Sequence, residues 1–375
     1  MKTNTANNVS RLIAILLGGL ALSSPTWATS YTFTELKSLS GGFGSTASAI
    51  NNLGQVIGTT HFDSSCWQCP GSSTVTIWNG TTEGPLGLGG SARYNYGNDI
   101  NDVGQVVGYG VQAYTTSENA FVRTSAPGTL TYLSSSYYYD SASAINNRGQ
   151  VAGSGADHLS TGRYGAFVWD TATGVVTHLG QGSIAVDIND AGQVVGKIGS
   201  NVVVWNGTTA TVLGTLSGGE SEAKAINNAG QVVGYSKAQN GYGHATLWNN
   251  TTAIDLGSLG GHSQAMGINN AGQVVGTSYT AADAAVSRAF FWDGTTMTDL
   301  NSFLDASTVG VGWVLNSAQD INDNGQIIGS ARNTFTGQFS VFLLTPVPEP
   351  ETYAMMLAGL CVVGVAKRRK QSQSN

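Results

Sequence analysis

Cys66 and Cys69 lie in a C-x-x-C spacing with His61 and Asp63 nearby, which suits a disulfide, a redox dithiol or half of a zinc site. A redox pair would need a thioredoxin-like surround, and zinc would need a second Cys or His pair. A local disulfide is therefore the expectation for an exported chain. Oxygen-rich turns at Asp99-Ile100-Asn101-Asp102, Asp187-Ile188-Asn189-Asp190 and Asp320-Ile321-Asn322-Asp323-Asn324-Gly325 invite a calcium reading. An EF-hand-like loop alternates its ligands and places an acidic residue beyond the glycine, whereas here Gln and apolar residues follow. The Asn and Asp side chains are expected to satisfy backbone N–H groups instead, with no metal and no cofactor. His61, His158, His178, His244 and His262 fall at unrelated points, none in a nucleophile elbow or an H-E-x-x-H helix, so no catalytic residue is assigned. Cys361 belongs to a C-terminal apolar run and reads as a packing or lipid-facing residue.

The oxygen-rich turns belong to a motif that occurs seven times: a branched apolar residue, Asn, Asn or Asp, any residue, Gly, Gln, two small or branched apolar residues, Gly. The copies begin at Ile50, Ile100, Ile145, Ile188, Ile226, Ile268 and Ile321, an average spacing of about 45 residues. Their turn residues, expected to be structural, are Asn51 and Gly54, Asn101 and Gly104, Asn146 and Gly149, Asn189 and Gly192, Asn227 and Gly230, Asn269 and Gly272, and Asn322 and Gly325.

One copy, Ala223 to Gly261, carries four short apolar runs separated by turn chemistry, and no helical period. It predicts strands at Ala225-Ile226, Gln231–Tyr235, His244–Trp248 and Ala253–Leu259. Asn249-Asn250 closes the third, as Asn79-Gly80, Asn206-Gly207 and Asp293-Gly294 do elsewhere. The third strand recurs at Ile77-Trp78, Ala120-Phe121-Val122, Ala166 to Trp169, Val203 to Trp205, Ala245 to Trp248, Ala289 to Trp292 and Val341 to Leu343. Consecutive apolar residues suit a sheet covered on both faces. The expected fold is all-β, a seven-bladed β-propeller of four-stranded blades over residues 31–346. The last copy lacks a fourth strand, so Thr32 to Leu39 is expected to pair with Gly337 to Leu344 and close the ring. The tryptophans ending the third strands read as blade core, while Tyr94, Tyr96, Tyr137, Tyr138 and Tyr139, in connecting segments, are candidates for exposed stacking.

The 51 glycines and the 10% of charged residues fit many tight turns and a weakly charged polar surface. Lys2, Arg11, Lys367, Arg368, Arg369 and Lys370 lie outside the repeats, as do Glu349 and Glu351. The repeat body therefore keeps ten basic and twenty acidic residues, net −10. Such a body is expected to repel nucleic acid and acidic polysaccharide unless cations bridge them. Lys2 and Arg11, the apolar stretch Leu12 to Leu22 and Thr26-Trp27-Ala28 have the form of a signal peptide over residues 1–28, cut by signal peptidase. At the other end, Val347-Pro348-Glu349-Pro350 precedes an apolar run from Thr352 to Ala366 and then Lys367-Arg368-Arg369-Lys370. This order predicts a short transmembrane helix with a cytoplasmic basic end, marginal in length for a lasting span.

Pro348, Glu349 and Pro350, the apolar run and the terminal Arg368 and Arg369 resemble the PEP-CTERM sorting signal of Gram-negative bacteria over residues 347–375. That resemblance implies recognition by an exosortase, transient residence in the inner membrane, cleavage near the motif and delivery to the cell surface or to extracellular polysaccharide. The repeats, with Ala166-Phe167-Val168-Trp169 and His244-Ala245-Thr246-Leu247-Trp248, are similar to the HAF family of extracellular repeats, which brings no activity to individual residues. The expected function is a non-enzymatic surface or matrix binding scaffold, with matrix polysaccharide or envelope proteins as partners. The alternative is a hydrolase or lyase acting on extracellular polysaccharide, which needs acidic residues gathered over the propeller axis.

Overall fold

The computed structural model describes residues 30–347, apart from 63–71, 87–91, 113–117, 125–127, 134–136, 158–163 and 281–282. The expected signal peptide over residues 1–28, Cys66, Cys69, His158, Cys361 and the segment from Pro348 to Arg369 and beyond lie outside the described residues, as do the side chains of Tyr137, Tyr138 and Tyr139.

Each Ile-Asn-(Asn/Asp)-x-Gly-Gln copy ends one strand and starts the next, because its glycine takes a positive φ; the seven values run from 73° at Gly325 to 81° at Gly192. The strand before the turn is the innermost of its sheet. These inner strands are Gly44–Ile50, Ala92–Ile100, Tyr137–Ile145, Ser183–Ile188, Ser221–Ile226, Gly260–Ile268 and Trp313–Ile321. Each packs beside the inner strand of the next repeat, and the last packs beside the first. Second, third and outer strands follow in antiparallel order, as in Ser221–Ile226, Val232–Lys237, Gly243–Asn249 and Thr252–Asp255. Among the described residues, hydrogen bonding groups the strands into six sheets, five with four strands and one with eight. The larger sheet consists of the sets of repeats 1 and 2, joined among the described residues by one parallel bridge between Ser73 and Tyr94.

The seventh sheet-forming set borrows its outer strand from the other end of the chain. Tyr31–Leu36 pairs antiparallel with Phe339–Pro346, from Tyr31 opposite Pro346 to Leu36 opposite Val341. This strand stops three residues short of the expected Leu39. The chain turns toward repeat 1 because the Lys37 carbonyl accepts the Trp78 indole N–H at 2.7 Å and Gly42 N–H bonds to Leu39. The outer strand of repeat 5 is likewise shorter than expected, ending at Asp255. There the Asp255 carboxylate accepts the N–H of Gly257, which sits at φ 78°. Gly260 and Gly261 belong to the next inner strand.

The hydrophobic cores lie between neighbouring repeats. Val195, Val202 and Leu213 of repeat 4 pack against Ala223, Ile226, Val232 and Trp248 of repeat 5. Trp78, Trp205 and Trp248 are fully buried, and each indole N–H bonds a carbonyl in or just after the preceding outer strand, Lys37, Leu179 and Gly214 respectively. Every inner strand carries a bulge at the same place, as between Ala223 and Ala225. The bulge presses a carbonyl against the motif's final glycine, so a Cβ on Gly234 would meet the Glu222 carbonyl, and one on Gly108 would meet that of Tyr96. This close approach, not a special φ, accounts for that glycine. The longest repeat interval, before Ile321, holds a 3₁₀ turn at Leu300–Phe303 and a short helix at Ala306–Gly310.

Candidate functional site at the two ends of the inner strands

At one end of the inner strands the seven motif asparagines form a closed ring. Asn51 Nδ2 donates to the carbonyl of Asn101, Asn101 to Asn146, Asn146 to Asn189, Asn189 to Asn227, Asn227 to Asn269, Asn269 to Asn322, and Asn322 back to Asn51, at 2.9–3.1 Å. The rest of each amide is used inside its own turn. Asn189 Oδ1 accepts the N–H groups of Ala191 and Gln193, and its second Nδ2 hydrogen goes to Gln193 Oε1. The side chain thus needs two acceptor lone pairs and two donors at once, which only a carboxamide supplies. The four-residue gap from Asn to Gln is the reach of that last bond.

A second ring lies beside the first, nearer solvent, and is formed by the following residue. The amide of Asn52 donates to Asp102, Asp102 to Asn147, Asn147 to Asp190, Asp190 to Asn228, Asn228 to Asn270, Asn270 to Asp323, and Asp323 to Asn52, each at 2.8 Å. The other carboxylate oxygen of each Asp accepts Nδ2 donors from its Asn neighbours, as Asp102 does from Asn52 and Asn147. Alternating acceptor-only and donor-bearing residues satisfies the ring. Seven members cannot alternate throughout, and the single like pair is Asn228 beside Asn270. Together the rings frame a narrow cavity of about 160 Å³ lined by all seven repeats.

One residue before the motif, Asp99, Asp187 and Asp320 stand where the other repeats have Ala49, Ala144, Ala225 and Gly267. Each carboxylate accepts the N–H of its own isoleucine and that of the next repeat: Asp99 from Ile100 and Ile145, Asp187 from Ile188 and Ile226, Asp320 from Ile321 and Ile50. They are clamps across three repeat boundaries. Burial pushes Asp187 up to about 8, Asp320 to about 7 and Asp99 to about 6, with repulsion from neighbouring carboxylates adding to the rise and the amide donors opposing it. Protein atoms crowd all three, yet each keeps partial contact with water along the axis, which tempers the effect.

At the opposite end of the inner strands, over repeats 5 to 7, is a wider cavity of about 850 Å³. Its lining includes Glu222 and Lys224 of one inner strand, Tyr235 and Lys237 beside them, His262 of the next inner strand, and Tyr279. Lys224 Nζ bonds Glu222 Oε1 at 2.8 Å, and the Tyr235 hydroxyl donates to Glu220 at 3.2 Å. Burial and the adjacent Glu220 raise the Tyr235 pKa above its ordinary value. His262 Nδ1 accepts the Gly243 N–H at 3.0 Å, which leaves the proton on Nε2, and Tyr242 packs edge-on against the ring at 4.7 Å.

Sequence reasoning does not single out Glu222, Lys224, Tyr235 or Tyr279. The signal that finds them is departure from the repeat: Lys224 occupies the bulge position held elsewhere by Ser48, Asn98, Ser143, Val186, Met266 and Gln319. Tyr94 and Tyr96 lie in an inner strand, not a connecting segment, and Tyr96 stacks on Tyr109 at 4.9 Å. His61 Nδ1 lies 2.9 Å from the Ser73 hydroxyl. His244 meets Asp255 at 2.9 Å, but Asn240 Nδ2 occupies its other nitrogen, so the pair is not poised as a base. Among the described residues no group of three or more His, Cys, Asp and Glu is arranged to hold a metal, and no helix is long and apolar enough to cross a membrane.

Residues 346–370 match the PEP-CTERM protein-sorting motif. The motif implies exosortase processing and export with transient passage through the membrane. No curated protein matches the sequence. Among solved structures, the β-propeller domain of the Trilobed protease from Pyrococcus furiosus is similar at TM-score 0.56 and 11% identity, over 81% of this chain and 94% of that one. Oligogalacturonate lyase from Vibrio parahaemolyticus is similar at 0.53 and 12%, over 85% and 98%. The acylaminoacyl peptidase of Pyrococcus horikoshii is similar at 0.55 and 10%, over 86% of this chain and about half, 55%, of that one. At such identities the likeness concerns the fold alone: this chain is a β-propeller. The Pyrococcus furiosus domain is described as having an open velcro topology, whereas here Tyr31–Leu36 pairs with the last repeat.

Proposed function

We propose that this protein is a seven-bladed propeller of HAF-type repeats, released by an exosortase to the cell surface or extracellular matrix, where it acts as a binding scaffold and not as an enzyme. The sorting motif carries the reading of export and release. The seven-membered asparagine ring supports the blade count, with repeats 1 and 2 counted as separate blades despite their single bridge. Carboxylates do gather about the axis, as the hydrolase or lyase alternative requires. In Asp99, Asp187 and Asp320 one oxygen accepts the amide of its own blade's isoleucine and the other that of the next blade, and the oxygens of Asp102, Asp190 and Asp323 are held by the outer ring. Groups held this way support a structural role over acid–base work.

The test is intact mass and cell fractionation in hosts with and without the exosortase. The expected result is loss of the tail near Val347 and release from the inner membrane only when the enzyme is present. An uncleaved tail in both hosts would overturn the sorting assignment and make the protein a membrane-tethered periplasmic propeller.

A further inference from the structure

The wide cavity over repeats 5 to 7 has the features of a site for one class of ligand, and we infer that it binds a neutral oligosaccharide of a few sugar units. This inference rests on the binding-scaffold reading and names its site. About 850 Å³ falls within the ~300–1,000 Å³ usual for small-molecule sites. The lining pairs aromatic faces with a dense set of donors and acceptors, which is the combination a polyhydroxylated ring recognises. Tyr279, 37% exposed, and the half-buried Tyr235 provide apolar faces with polar tips. The Lys224–Glu222 pair offers an ammonium and a carboxylate side by side, suited to vicinal hydroxyls. Gln264, Gln319 and Ser287 add uncharged donors and acceptors to the lining.

Charge selects within the sugars. Glu220 and Glu222 are balanced in the lining by Lys224 and Lys237, so the cavity has no net field to attract an ion. The surrounding body, net −10, opposes acidic chains at longer range. The cavity is lined by residues of repeats 5 to 7. The narrow opposite end is closed to such a ligand, since its Asn and Asp side chains are used in the two rings.

The experiment is calorimetric titration of the exported, processed protein with cellohexaose, maltohexaose and chitohexaose, and with hexagalacturonate as the charged comparison. One or more neutral hexamers should bind, and hexagalacturonate should bind at least tenfold more weakly. Tyr235→Ala, Tyr279→Ala and Glu222→Gln should each weaken the neutral ligand tenfold or more. Tyr132→Ala, on an exposed outer strand far from the cavity, should leave binding unchanged. Thermal melting of each variant verifies that the fold persists, and Tyr279→Phe keeps the test open should Tyr279→Ala misfold. Unaltered binding in the cavity variants, tighter binding of hexagalacturonate, or no binding of any neutral hexamer would overturn the assignment. Retention of the wild type and the cavity variants alike on the host's extracellular polysaccharide would overturn this site while leaving the scaffold reading intact. Failure of the wild type to be retained there would remove the scaffold reading itself.

Discussion

Replacing Asn189 with Ala tests whether the asparagine ring holds the propeller together. Asn189 is buried and makes four hydrogen bonds: two accepted from Ala191 and Gln193 amides, one donated to Gln193 Oε1 and one donated to the Asn227 carbonyl of the next blade. Truncation leaves two turn amides and one buried carbonyl without these partners. At about 1–3 kcal/mol for each buried group left unpaired, and the lower figure for the turn amides that can reach water, the loss is about 3–5 kcal/mol. That is a large fraction of the ~5–15 kcal/mol by which domains are ordinarily stable. Urea unfolding followed by tryptophan fluorescence reads it, since Trp205 in the same repeat is fully buried. Asn206→Ala, at an exposed hairpin turn of the same repeat, should cost less than about 0.5 kcal/mol. Asn189→Asp keeps the acceptors but faces a carboxylate toward two oxygens, so its stability should recover as pH falls. A loss below about 1 kcal/mol for Asn189→Ala would refute the claim that the ring contributes cohesion beyond its own turns.

Further outcomes follow from the same structure. Asp99, Asp187 and Asp320 titrate at about 6, 8 and 7 in the folded protein against an ordinary 3.8, so the native state retains protons that the unfolded chain has released. Stability should therefore be highest near pH 4 and fall toward pH 8 by on the order of a few kcal/mol, because each tenfold difference in proton affinity between the two states is worth ~1.4 kcal/mol and water along the axis reduces the total. Asp187→Asn should flatten that profile, and stability rising between pH 5 and 8 would contradict the burial of these groups. Leu36→Ala, which empties a fully buried site against Trp78, Val341 and Leu343, should cost about 2–4 kcal/mol and expose the Tyr31–Leu36 strand to limited proteolysis. Gly234→Ala should lower the melting temperature by forcing a methyl group against the Glu222 carbonyl, whereas Gly84→Ala, with open space around it, should be nearly silent.

The repeated nine residues are legible because most of their interactions are local. Asn, Gly and Gln at fixed offsets close one turn through bonds within five residues, and the apolar third strands mark sheets covered on both faces. Seven turns, an all-β fold and closure by the N-terminal strand are therefore all written in the sequence. The registers at Leu36 and Asp255 were not, because they depend on where Lys37 meets Trp78 and where Asp255 captures the Gly257 amide. The same limit applies to function. A carboxylate one residue before the motif is expected from sequence to satisfy backbone N–H groups, but that one of its two isoleucine amides belongs to the next blade is visible only in the fold. Glu220 and Gln319 are about a hundred residues apart in sequence and line one cavity only because the ring brings three successive repeats together. Sequence determines each blade through short-range bonds; the cavity and the asparagine ring exist only through contacts between blades, which no single repeat contains.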